Sequence, residues 1–196
     1  MANTNVAFGL KPIRHANGSV YTGSFNIYSI PASDSTALYV GDPVIIAGSA
    51  DADGVPTATR ATAAGGAYIS GVVVGFSPVL GAGASGRDST TYRAASTARY
   101  AYVADSPDLI FEVQEDAVGG ALAATDVGLN ADLIAGSGST LTGRSGWQLD
   151  TSTKATTNTL QLRIVRFVPR IDNEIGANAK VEVMINLHQQ RNLTGV

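Results

Sequence analysis

The 196-residue chain has no cysteine, which excludes disulfides and thiolate metal sites and leaves burial and assembly to hold it together. It has only two histidines, His15 and His188, far apart in the chain, so no sequence-local metal or triad cluster can be drawn around them. A G-x-S-x-G elbow is missing too. Charge is scarce: 15% of residues are charged, the formal net charge is −3, and nowhere do Lys and Arg cluster. The electrostatic footprint of a nucleic-acid binder is therefore absent. No apolar run approaches the roughly 20 residues that span a bilayer. The start Met1-Ala2-Asn3-Thr4-Asn5 lacks the charged lead and apolar block of a secretory signal. The expectation is a protein made in the cytoplasm, with no cofactor and no nucleic-acid or membrane partner.

Glycine is abundant, with 22 residues, and so are short β-branched runs. The stretch from Leu38 to Phe76 reads as strand, turn, strand, long loop, strand: Leu38-Tyr39-Val40, Gly41-Asp42-Pro43, Val44 to Ala47, a loop from Gly48 to Gly66, then Tyr68 to Phe76. Branched side chains pack well on a sheet, and Gly, Asp and Pro end it. Alternation also predicts strands over Val20–Ile30, Thr159–Val168 and Lys180–His188, and the turn Asp105-Ser106-Pro107-Asp108 separates two more, Arg99–Ala104 and Leu109–Gln114. In Lys180–His188, Val181, Val183, Ile185 and Leu187 share one face; Leu160, Leu162 and Ile164 share a face until the pattern breaks at Arg166, which signals a bulge. The segment 169–178 should close these two strands as an antiparallel pair. From Gly120 to Ile134, alanines and leucines allow a short helix, interrupted at Gly128. Residues 1–18 hold Phe8, Leu10 and Ile13 among polar residues without a period, and Pro12 and Asn17-Gly18 argue against a regular element. They read as an extended arm before a single β-rich domain, 19–196, since this length suits one core. About eight strands with almost no helix predict an all-β fold, an antiparallel β-barrel or jelly-roll-like sandwich, because closure hides sheet edges.

Motifs with chemical meaning are weak. Gly81, Gly83 and Gly86 match G-x-G-x-x-G with Asp105 about 20 residues on, but the helix that a dinucleotide fingerprint requires does not follow. Asp51 and Asp53 open like a calcium loop, yet its twelfth position is Thr62, not Glu. Glu112, Glu115 and Asp116 read as solvated charges at a strand edge, not as a catalytic pair. Asn17-Gly18-Ser19 and Asn192-Leu193-Thr194 fit the glycosylation pattern without a secretory signal.

Several segments, taken in order, carry a resemblance over the whole chain. They are Met1-Ala2-Asn3 leading to Phe8-Gly9-Leu10-Lys11-Pro12-Ile13-Arg14-His15, then Gly41-Asp42-Pro43-Val44, Ile69 to Phe76, Ala124 to Asp132, Gly143-Arg144-Ser145 before Leu149-Asp150, and Asn186 to Gln190. In these the chain resembles tailed-bacteriophage virion proteins, the head decoration or cement subunits. The resemblance implies a β-barrel or jelly-roll-like subunit on the outer surface of the capsid in the virion, with the major capsid protein and itself, as homodimer or homotrimer, for partners. It transfers no catalytic residue, so no enzyme activity is expected. Phe8, Leu10, Ile13, Arg14 and His15 on the arm are the candidate capsid or subunit contacts. A receptor- or carbohydrate-binding fibre module, which would want exposed aromatics, and a small major capsid protein, which would want a long spine helix, are the rival readings.

Overall fold

The structure, a computed structural model, describes residues 3–77 and 91–191. Its strands are β1 (Lys11–His15), β2 (Asn26–Ile30), β3 (Leu38–Tyr39), β4 (Pro43–Ala50), β5 (Pro56–Arg60), β6 (Gly71–Ser77), β7 (Tyr92–Arg93), β8 (Arg99–Ala104), β9 (Leu109–Gln114), β10 (Asn130–Ile134), β11 (Gln148–Ala155), β12 (Leu162–Phe167) and β13 (Lys180–Ile185). Helical structure among the described residues is limited to two 3₁₀ turns, Ala124–Asp126 and Gln189–Arg191. The fold is all-β and sandwich-like. A closed barrel in the order β2-β5-β4-β6-β8 lies against a six-stranded antiparallel sheet in the order β1-β9-β13-β12-β10-β11, with β3 and β7 forming a small ribbon. Barrel closure rests on one parallel seam, Ser29 of β2 beside Thr57 of β5.

The expected C-terminal hairpin is present. β12 and β13 pair antiparallel, with a register shift between Ile164 and Arg166 where the alternation breaks. Leu162, Ile164, Val181, Val183 and Ile185 are buried together with Phe111, Trp147 and Leu149. That cluster also takes in Ile69, Val72 and Ala104 from the barrel side, so one core runs through both halves. A second cluster, which includes Tyr28, Ile30, Val44, Phe76 and Val103, fills the barrel. Leu187 is only half-buried because the chain leaves the sheet after Ile185, and its carbonyl accepts from the Ile69 amide at 2.9 Å.

Four expectations are corrected. The long loop 48–66 contains β5, whose Thr and Ala residues gave no apolar signal. It forms a hairpin with β4 around Asp51, whose Oδ1 accepts from the amides of Asp53 and Val55 at 3.0 and 2.9 Å. That carboxylate is therefore spent on the turn. The helical segment narrows to the Ala124–Asp126 turn, and β10 takes the remainder by pairing with β11 and β12. The strand expected over Val20–Ile30 is shortened to β2, in which Tyr28 and Ile30 point inward, while Phe25 just before the strand and Ile27 within it are each 47% exposed. Tyr28 accepts the interior because its hydroxyl donates to Asp105 at 2.7 Å.

The fourth correction concerns the arm. Residues 11–15 are β1, the edge strand of the large sheet on β9, with an irregularity between Pro12 and Arg14 that masks the period. Leu10 is 1% exposed and belongs to the chain's own core. Ahead of it, the Gln114 side chain donates to the Thr4 carbonyl and accepts from the Val6 amide, both at 2.8 Å. Asn3 is tied to Glu174 and Ala177.

Candidate functional site

Two glycines decide how the barrel meets the sheet. Gly41 has φ +98 and follows β3, and Gly9 has φ +72, both in the left-handed region that side chains avoid. A Cβ on Gly9 would lie 2.4 Å from the Gly41 carbonyl oxygen, and one on Gly41 would lie 2.5 Å from that of Phe8. Phe8-Gly9-Leu10 thus crosses the 39–42 turn backbone on backbone, and the Leu10 amide donates to the Gly41 carbonyl at 2.9 Å. A third segment joins through Val40, which donates to Gly143 and accepts from the Ser145 amide, both at 2.9 Å. β6 joins through Val73, donating to Asp42 at 2.9 Å and accepting from the Gly41 amide at 2.8 Å. Asp42 is buried at this crossing, and its Oδ2 accepts from the Tyr39 amide at 3.0 Å. Burial pushes its carboxyl up, against the opposing hydrogen bonds from Ser145 and Tyr39 and the charge of Arg60.

Beside the crossing lies an open groove of about 580 Å³. Its apolar lining comes from Phe8, Leu10, Pro12, Tyr21, Val40 and the β6 pair Val73 and Val74. Leu10 and Val73 are fully buried in the two cores, while Phe8, Tyr21 and Val74 are half-buried and present the accessible apolar surface. The polar lining is mostly cationic: Lys11, Arg144, Arg170 and Lys180, with Glu112 the one carboxylate. Arg170 is paired with Glu112 at 2.8 Å and Asp172 at 3.4 Å, and Lys180 stands 3.8 Å from Asp172. Lys11 and Arg144 are exposed and have no ion-pair partner among the described residues.

Of the five contact residues expected from sequence, Phe8 and Leu10 line this groove and the others do not. Ile13 and His15 are half-buried in β1, their backbones bonded to Tyr21 and Ser19. Arg14 donates to Glu182 at 2.6 Å. The carboxylates read as solvated are largely buried. Glu112 and Glu182 face each other across β9 and β13, an arrangement of like charges that costs stability unless countered. Burial alone pushes Glu182 up, but Arg166 and Arg14 outweigh it and hold it below the usual carboxylate range. Glu115, fully buried, accepts from the Ala117 and Ala179 amides, and burial pushes it up. Asp116 accepts from the Thr151 amide and hydroxyl.

A second surface lies on the barrel wall, where Phe25 stacks on Tyr102 with centroids 4.4 Å apart, beside exposed Ile27. Trp147, in contrast, is core. His188 is buried, and its Nδ1 accepts from the Gln190 amide at 3.2 Å. Burial, with the charge of Arg191, lowers its pKa to about 4. Asn17 accepts from the amide and hydroxyl of Ser19, a local turn. The glycine motif at 81–86 and the pattern at Asn192 lie outside the described residues. Among those residues no group of three or more His, Cys, Asp or Glu is placed to hold a metal, and no helix is long and apolar enough to cross a membrane.

The groove cations went unnoticed in the sequence because Lys11, Arg144, Arg170 and Lys180 come from distant segments; only the turn signal at Gly41-Asp42-Pro43 marked one of its borders. No protein-family model, curated protein or solved structure matches the chain.

Proposed function

We propose that the chain is a structural virion protein that binds the outer surface of a bacteriophage capsid and cements neighbouring capsomers. The observation that carries the reading is convergence. Phe8 to Leu10, Gly41 to Val44, Ile69 to Phe76 and Gly143 to Ser145, four of the segments that carry the resemblance to decoration proteins, meet at the glycine crossing and border the groove. A groove with an apolar floor and a polar rim suits docking of another chain. The partners are the major capsid protein and further copies of the subunit. Binding acts through area buried over many copies: each bridge between capsomers adds free energy that exists only in the closed shell, and so opposes internal pressure. No catalytic step is assigned.

The test is to mix the protein with heads assembled from the accompanying major capsid protein and then heat them. Saturable coating that raises the temperature at which heads burst is the expected result; no coating at micromolar protein would end the reading.

The fibre-module alternative is favoured by one observation, the exposed Phe25–Tyr102 stack, a surface on which sugar rings can pack. A small major capsid protein would need a spine helix, and the described residues hold no α-helix.

A further inference from the structure

We infer that the groove takes an extended acidic segment of a partner protein, its apolar side chains over Phe8, Tyr21 and Val74 and its carboxylates on Lys11 and Arg144. The inference rests on the reading of this groove as a protein-docking site and adds the chemistry of the occupant.

The whole chain has 13 Lys and Arg against 16 Asp and Glu, a net charge of −3. Four of those 13 cations line this one groove. Against them stand Glu112 in the lining and Asp172 beside it, so the groove keeps a surplus of two positive charges (four minus two) on an acidic protein. The surplus is located. Arg170 and Lys180 are engaged by Glu112 and Asp172, which leaves Lys11 and Arg144 with exposed charge at the rim that is unpaired among the described residues.

Such a rim repels a basic segment and draws an acidic one, setting register and partner choice more than raw affinity. Below the rim the lining is apolar, which favours a segment that also carries Val or Leu over a bare polyanion. Two unpaired cations are few for a nucleic-acid backbone, whose binding scales with the number of phosphates neutralised. A groove of about 580 Å³ has room for a few residues of extended chain.

The probe is a fluorescein-labelled octapeptide of alternating Glu and Val, with a Lys and Val octapeptide and a duplex DNA of equal label as comparators. Fluorescence anisotropy should show saturable binding of the acidic peptide alone. Its affinity should fall about tenfold or more in the double variant Lys11→Glu, Arg144→Glu. Both side chains are exposed, and an unchanged thermal midpoint confirms that the variant is folded. Equal binding of both peptides, preference for DNA, no binding, or unchanged affinity in the folded variant would overturn the inference. So would a dimer of the wild type that the same charge reversal dissolves, since a second copy would then fill the groove. The head-coating assay separates the two claims. Heads coated equally by wild type and double variant would sink the acidic-segment inference and leave the decoration reading standing. Acidic-peptide binding by a protein that never coats heads would do the reverse.

Discussion

The barrel and the six-stranded sheet hide their strand edges by different means. In the barrel every strand has two neighbours, so no edge is left and side chains outside it are free of that duty. Phe25 and Ile27 can therefore stand on its wall at 47% exposure. The open sheet has two edge strands, and each is covered by chain. β1 is flanked by Ser19 to Tyr21, with the Tyr21 amide donating to Ile13 at 3.1 Å. β11 is flanked by Asp116 to Gly119, with Asp116 donating to the Leu149 carbonyl at 3.1 Å. Its outer face carries the buried Glu112 and Glu182 with Arg14, Arg166 and Arg170 over them. Closure by topology leaves surface available for partners, whereas closure by covering segments consumes polar side chains.

The comparison breaks most sharply if the two halves can come apart. Val183→Asp places an unpaired charge in the cluster shared by both, and should cost about 5 kcal/mol, enough to unfold most small proteins. The native Trp147 fluorescence, which reports on the shared core, and the exchange protection of barrel amides should be lost together. Retained protection in the barrel would show it to be an independent unit.

Next in size is a change confined to the barrel end. Arg93 is fully buried, and its guanidinium donates to the carbonyls of Pro31, Asp34, Thr36 and Thr97. Arg93→Leu orphans these acceptors and should cost about 3 kcal/mol, read as a fall in the urea midpoint. A loss under about 1 kcal/mol would mean that water replaces the arginine there.

The joint between the halves should respond to acid. His188 is neutral when folded because its pKa is lowered to about 4, whereas in the unfolded chain it takes a proton near 6.5. Its contribution is therefore fully present above pH 6.5 and is lost as pH falls from there towards 4. Up to about 3 kcal/mol is involved. Asp42, Glu115 and Asp132 have raised values and so contribute in the opposite sense on acidification, which makes the comparison with His188→Gln necessary. The wild type should lose stability more steeply than this variant between pH 6.5 and 4, and parallel slopes would contradict the assignment.

The smallest effect sharpens the contrast from the other side. Phe25→Ser with Ile27→Ser on the barrel wall should change stability by no more than about 0.5 kcal/mol, because exposed apolar groups on a closed barrel support no edge. A loss of about 2 kcal/mol or more would show that the wall is structural.

Legibility in the sequence followed the same division. β12 and β13 stood out because five or more residues alternate, β8 and β9 because the turn at Asp105-Ser106-Pro107-Asp108 divides two apolar-rich runs, and even the irregularity at Arg166 left its mark on the pattern. β5, with Thr57, Ala58 and Thr59, is too small and polar to signal a strand, and β1 is hidden by the shift at Pro12. The arm was misjudged for a physical reason: Leu10 is anchored by a glycine crossing between residues more than 30 positions apart, which no local window detects. Glu112 and Glu115 were taken as solvated because their burial depends on Arg170 and on the amide of Ala179, each supplied by a distant part of the chain. The two groove-lining residues anticipated, Phe8 and Leu10, stood out as apolar side chains in a polar segment.

The central claim, that this is a shell-binding subunit, is tested most directly by locating and counting it in the virion. A low-resolution map with quantitative staining should place the chain on the outside of the head in hundreds of copies, in fixed proportion to the major capsid protein. A handful of copies at the tail tip, or none in the particle, would contradict it.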